Sequence, residues 1–124
     1  MDTILVVEDE GMIAELLEDV LEDAGYRVVT AGNGLEGLAR LAEVAPDLVL
    51  SDIMMPGLDG RALCQRIRSD ARYHGLPIVL MSAALPAADR ATDYTAFIRK
   101  PFDLDGLLGT IRRILDAAGS ADAG

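Results

Sequence analysis

What most constrains this chain is an alternation. Short apolar runs, cut off by acidic or hydroxyl residues, take turns with segments whose apolar residues recur at helical spacing. Thr3 to Val7 is apolar almost throughout and ends in Glu8-Asp9-Glu10, the pattern of a strand buried on both faces. Met12, Ile13, Leu16, Leu17, Val20, Leu21 and Ala24 then share one helical stripe, with Glu15, Glu18, Asp19, Glu22 and Asp23 on the other face and Gly25 as a stop.

The unit repeats. Arg27 to Ala31 reads as a strand and Leu35 to Val44 as a helix closed off by Pro46. Leu48 to Ser51 is a strand followed at once by Asp52, and the turn-rich Met55-Pro56-Gly57-Leu58-Asp59-Gly60 leads into a helix over Arg61 to Asp70. Pro77 to Met81 and Ala96 to Arg99 are the remaining strands. The last helix carries Leu104, Leu107, Leu108, Ile111, Ile114 and Leu115 on one stripe, with Asp103 or Asp105 as its N-cap. Strands alternating with helices imply an α/β fold, a doubly wound five-stranded parallel sheet with helices on both faces. The expected domain runs over residues 1–118, with 119–124 as a small, polar, flexible tail.

At 124 residues the chain suits one domain with one core. No apolar run approaches the roughly 20 residues that cross a bilayer, and the N-terminus lacks the basic start of a signal peptide, so the cytoplasm is the expected location. The single cysteine, Cys64, has no partner for an internal disulfide and reads as a small core residue. A formal charge of −10 repels phosphate backbones and anionic headgroups, which argues against direct nucleic-acid or membrane binding.

In an open parallel sheet, ligands bind outside the carboxyl ends of the strands. That edge receives Glu8 and Asp9 after the first strand, Asp52 after the third, Ser82 after the fourth and Lys100 after the fifth. Singly, each has a plain structural explanation as a turn, cap or strand-end residue. Together they form a site. Three crowded carboxylates raise one another's pKa unless a cation neutralises them, and oxygen ligands without His or Cys favour magnesium. Asp52 can then act as a nucleophile towards a phosphoryl group, with Lys100 and Ser82 contacting the transferred oxygens.

Three segments carry a family resemblance: Ile4-Leu5-Val6-Val7-Glu8-Asp9-Glu10, Leu48 to Gly60 around Asp52, and Lys100-Pro101-Phe102. In that order and spacing, over nearly the whole chain, they resemble the receiver domain of bacterial response regulators, CheY-like proteins of two-component signalling. The resemblance implies a flavodoxin-like strand order of 2-1-3-4-5. It also implies phosphorylation of Asp52, and Mg2+ held by Glu8, Asp9, Asp52 and the main-chain carbonyl of Met54, with Glu8 reaching the ion through a water. Ser82 would be the switching hydroxyl, Lys100 the phosphoryl-contacting base, Phe97 the rotating aromatic, and Lys100-Pro101 a cis peptide. Such a domain is a regulatory phosphoacceptor rather than an enzyme. Its expected partners are a sensor histidine kinase or histidine phosphotransfer protein, and a downstream effector protein.

Against the family pattern, the stretch between Ser82 and Lys100 is shorter by about four residues, so a short or distorted fourth helix is expected there. Neither Met54 nor Ala84, the positions that tune hydrolysis in the family, can orient water, which implies a long-lived phosphorylated state. Three other functions fit less well. A flavin-binding domain would need a hydroxyl- and Gly-rich phosphate loop where Glu8-Asp9-Glu10 stands. An aspartyl-phosphate hydrolase would need a second acid at Met54. A docking module that is never phosphorylated would not need Asp9, Asp52, Ser82 and Lys100 together.

Overall fold

The structure is a computed structural model that describes residues 1–83 and 93–123, with residues 119–123 described by backbone alone. Five strands, β1 (Thr3–Val7), β2 (Arg27–Ala31), β3 (Leu48–Asp52), β4 (Ile78–Ser82) and β5 (Ala96–Arg99), form one sheet in the order β2-β1-β3-β4-β5. All four pairings are parallel. Four helices occur among the described residues: α1 (Gly11–Asp23), α2 (Gly34–Val44), α3 (Gly60–Arg68) and α4 (Leu104–Ala123), plus a 3-10 turn over Ala71–Tyr73. The doubly wound α/β architecture expected from the alternation is the one the chain adopts. The short helix expected between Ser82 and Lys100 falls mainly on residues 84–92, outside the described residues, so α4 here denotes the C-terminal helix.

The sheet divides the interior into two cores. On one face, Ile4, Val6, Leu48, Leu50, Val79 and Met81 pack against Leu17 and Leu21 of α1 and Leu107, Ile111 and Leu115 of α4. On the other, Leu5, Val7, Val49, Ile78 and Leu80 meet Leu41 of α2 and Leu63, Cys64 and Ile67 of α3. Strict alternation of side chains along each strand sends neighbouring residues to opposite cores, which is why unbroken apolar runs form the central strands.

Helix ends follow local chemistry. Gly25, with φ of 100°, lets the chain leave α1 while Tyr26 N donates to Leu21 O (3.1 Å) and Gly25 N to Glu22 O (3.0 Å), a Schellman-type end. Asn33 caps α2 through Glu36 N (2.8 Å), and Asp59 caps α3 through Ala62 N (2.9 Å). Of the two caps expected for the last helix, Asp103 takes the role, accepting from Gly106 N at 2.7 Å, and Asp105 lies in the first turn.

Three local expectations change. Met12 (86% exposed) and Leu16 (48%) of α1 stand outside the core, because Ile13, Leu17 and Leu21, spaced four apart, reach the sheet and their N-terminal neighbours lie about 100° round the helix. Helix α3 stops at Arg68 rather than Asp70, where the Asp70 side chain accepts from Arg72 N (3.0 Å) and starts the 3-10 turn. The backbone of α4 stays helical to Ala123, beyond the Gly119 at which a tail is expected from sequence.

Candidate functional site

Parallel strands bring all their carboxyl ends to one edge of the sheet, and the ladder fixes what stands there. Glu8 follows β1 and is held by Glu8 N donating to Ala31 O (3.0 Å). Asp52 is the last residue of β3, level with Met81 of β4. Ser82 ends β4 and is buried, and its carbonyl accepts from Lys100 N (2.9 Å), just past β5. The peptide that follows, Lys100-Pro101, is cis.

These placements converge on charge. Lys100 Nζ lies 3.0 Å from Glu8 Oε1 and 3.1 Å from Asp52 Oδ2, bridging two carboxylates from different strands. Carboxylate oxygens of Glu8, Asp9 and Asp52 lie within 4.8 Å of one another, with Glu8 and Asp52 buried and Asp9 exposed. One ammonium thus bridges two carboxylates, with a third, that of Asp9, beside them. Burial pushes the Glu8 carboxyl up to about 7, opposed by the Lys100 hydrogen bond and reinforced by the Asp52 charge. For Lys100, burial works against the ammonium, but the hydrogen bonds it donates to Glu8 and then Asp52 outweigh burial and raise its pKa.

The segment after Asp52 is tied down by close packing. Met54 N donates to Asp52 Oδ1 (3.3 Å), Ile53 N to Met81 O (2.9 Å), and Gly60 N to Ile53 O (2.9 Å). Gly60 is a glycine for want of space: a Cβ there would run into the Asp52 carbonyl oxygen and sit 2.8 Å from Ile53 Cα. Met55 is buried as an anchor, whereas the Met54 side chain is 69% exposed at the rim.

Of the residues singled out from sequence, Glu8, Asp9, Asp52 and Lys100 thus meet in one cluster, and Ser82 stands one strand over from Asp52. Phe97 lies lower on β5, opposite Leu80, half-buried against the core under α3, its ring 6.4 Å from that of Tyr94. Ala84 lies outside the described residues. The Glu8–Lys100 pair and the packing role of Gly60 were not foreseen from sequence. A lysine expected opposite three acids was the available signal for the first; Gly60 reads from sequence only as a turn residue.

The donor set fits a hard divalent cation: oxygen ligands only, on one edge, with more negative charge than Lys100 neutralises. The family model described as "Response regulator receiver domain" matches residues 4–112. The chain belongs to the response-regulator receiver family. It is 34% identical over 119 residues to the DNA-binding dual master transcriptional regulator RpaA of Synechocystis, covering 93% of this chain and 49% of that protein. It therefore spans about half the length of that curated relative. Among solved structures, this receiver domain resembles chemotaxis protein CheY4 of Vibrio cholerae, with a TM-score of 0.87, 30% identity and coverage of 92% of this chain and 98% of the other. It also resembles response regulator TrrA of Thermotoga maritima in complex with Mg(2+)-BeF, with a TM-score of 0.85, 34% identity and coverage of 92% and 99%. Receiver domains are regulatory phosphoacceptor domains of two-component signalling rather than classical enzymes. No helix among the described residues is long and apolar enough to cross a membrane.

Proposed function

We propose that Asp52 is the phosphoacceptor of a two-component switch, and that Glu8, Asp9, Asp52 and the Met54 main-chain carbonyl hold Mg2+ beside it. The observation that carries this reading is the Lys100 ammonium shared between Glu8 and Asp52, with Asp9 completing an acidic cluster at the strand ends. Bound Mg2+ would screen the carboxylates from an incoming phosphoryl group and neutralise charge on its oxygens.

An Asp52 carboxylate oxygen attacks the phosphorus of a phosphohistidine; the new O–P bond forms as the N–P bond breaks, and the electron pair returns to the imidazole of the donor. Lys100, already at hydrogen-bond distance from Asp52, is placed to contact the arriving phosphoryl oxygens, and Ser82 lies on the adjoining strand end to do the same. A shift of Ser82 towards the phosphoryl group opens room for Phe97 to rotate, which would report phosphorylation at β5. The thioether of Met54 cannot orient an attacking water, and neither can the methyl of Ala84, so the phosphorylated state is long-lived.

The donor is a sensor histidine kinase or a histidine phosphotransfer protein, and the output is contact with an effector. Residues 1–118 form the receiver unit in this reading. The −10 charge argues against nucleic-acid binding by these 124 residues and says nothing of a longer protein.

The test is intact mass after incubation with Mg2+ and acetyl phosphate. Wild type should gain one phosphoryl group and Asp52→Asn none, and the adduct should persist for many minutes after the donor is removed. An equal gain in the variant, or none in wild type, would refute the assignment.

A further inference from the structure

At the end of β5 remote from the charge cluster, a second set of bonds holds the strand. Arg68, the last residue of α3, has a largely buried side chain whose Nε and Nη1 donate to main-chain carbonyls: Nε to Asp93 O (2.8 Å), and Nη1 to Tyr73 O (3.1 Å) and Leu76 O (2.6 Å), with the Asp93 carboxylate 3.9 Å from Nε. Cys64 Sγ, one turn earlier on α3, donates to the same Asp93 oxygen at 3.4 Å. Asp93 immediately precedes Tyr94, whose ring lies 6.4 Å from Phe97 at an interplanar angle of 56°, and both rings pack on the core under α3. One residue on, Thr95 N donates to Ile78 O (2.7 Å) and Thr95 Oγ1 accepts from Ile78 N (3.0 Å).

We propose that Arg68 is a positioning residue for the β5 aromatic pair: by gripping the Asp93 carbonyl it holds Tyr94 against Phe97, so that movement of Phe97 is passed to Tyr94. The inference rests on the reading of Phe97 as the residue that moves on phosphorylation. Among the described residues β5 is an edge strand, paired only with β4. Its lower end is therefore set by anchors rather than by a second ladder, and a rigid fork of guanidinium donors spanning three carbonyls is suited to that task. At 6.4 Å and a 56° tilt the two rings lie within the range in which aromatic pairs attract, so a displacement of one alters the surroundings of the other.

The chain has three tyrosines and no tryptophan, so a Tyr26→Phe, Tyr73→Phe background leaves Tyr94 as the sole fluorescent reporter and the sole tyrosine ring in NMR spectra. In that background, Mg2+ with beryllofluoride, a phosphoryl mimic, should shift the Tyr94 ring resonances. Arg68→Met should abolish the shift while 19F NMR still shows beryllofluoride bound. Arg68→Lys, which keeps the charge and stem but not the fork, should leave a reduced shift, and serves as the variant should Arg68→Met fail to fold. A full Tyr94 response in Arg68→Met overturns the Arg68 assignment alone. Bound beryllofluoride with no Tyr94 response in the Arg68 background overturns this inference; if the Phe97 ring resonances, identified by their loss in Phe97→Leu, stay unmoved as well, the Phe97 reading falls with it, and no bound beryllofluoride overturns the phosphoacceptor reading beneath both.

Discussion

The centre and the edge of this sheet differ in how their strands are held. Every residue of β3 and β4 is buried and each strand has a neighbour on both sides, whereas β5 has no buried residue and, among the described residues, one neighbour. Asp52 and Ser82 belong to the first environment; Phe97 belongs to the second, and Lys100 follows it. Under the proposed function this difference is a division of labour: the buried central strands would fix the geometry of phosphoryl transfer, and the edge strand, with least buried, would convert it into movement. Packed interiors resist small displacements, so the element free to move is the one with least buried.

The largest effect expected from this contrast is at the centre. Leu50 is fully buried in the core under α1 and α4, two residues before Asp52, and Leu50→Ala should cost about 2–5 kcal/mol of unfolding free energy. Urea melts would measure it. A cost below that of conservative changes on β5 would break the comparison. Next comes Gly60→Ala, whose new methyl would meet main-chain atoms as its three nearest neighbours; overpacking there should cost about 1–3 kcal/mol. Because those atoms belong to Asp52 and Ile53, the rate of phosphorylation by acetyl phosphate should fall as well. Unchanged phosphorylation would mean that the acceptor does not depend on this contact.

A third expectation concerns charge. In metal-free protein the folded-state pKa of Glu8, about 7, lies above its ordinary 4.5, so the folded state holds more protons than the unfolded state between these values. Stability from this group is thus complete below about pH 4.5 and is lost as pH rises through about 7. Melting temperatures of metal-free protein should show that loss, and Glu8→Gln should remove it. A wild-type profile identical to that of Glu8→Gln would mean that burial does not penalise the Glu8 carboxylate.

The same contrast explains what could be read in advance. Strands β1, β2 and β5 begin and end where the sequence places them, since apolar runs bounded by charge or turn residues need no tertiary information. The meeting of Glu8, Asp9, Asp52 and Lys100 was equally legible, because strand ends in a parallel sheet share an edge and each residue stands at such an end. Met12 and Leu16 show the limit of periodicity, which marks a stripe as apolar without saying how much of its width the sheet covers. Arg68 shows another limit: its bond to Asp93 joins residues far apart in sequence, and neither position carries a local pattern that predicts it.

The smallest expected effect sharpens the comparison most. Phe97→Leu keeps an apolar side chain at a half-buried position on the edge strand, and should cost about 1 kcal/mol or less. Phosphorylation by acetyl phosphate should proceed as in wild type, because Lys100 is fixed independently by its backbone bond to Ser82 and its contacts to Glu8 and Asp52. What should change is the Tyr94 response to beryllofluoride, since leucine has no ring to turn against it. Urea melts, intact-mass kinetics and tyrosine resonances separate these outcomes. If Phe97→Leu slowed phosphoryl transfer as strongly as Gly60→Ala, the edge strand would be part of the chemistry, and the division between a rigid centre and a movable edge would fail.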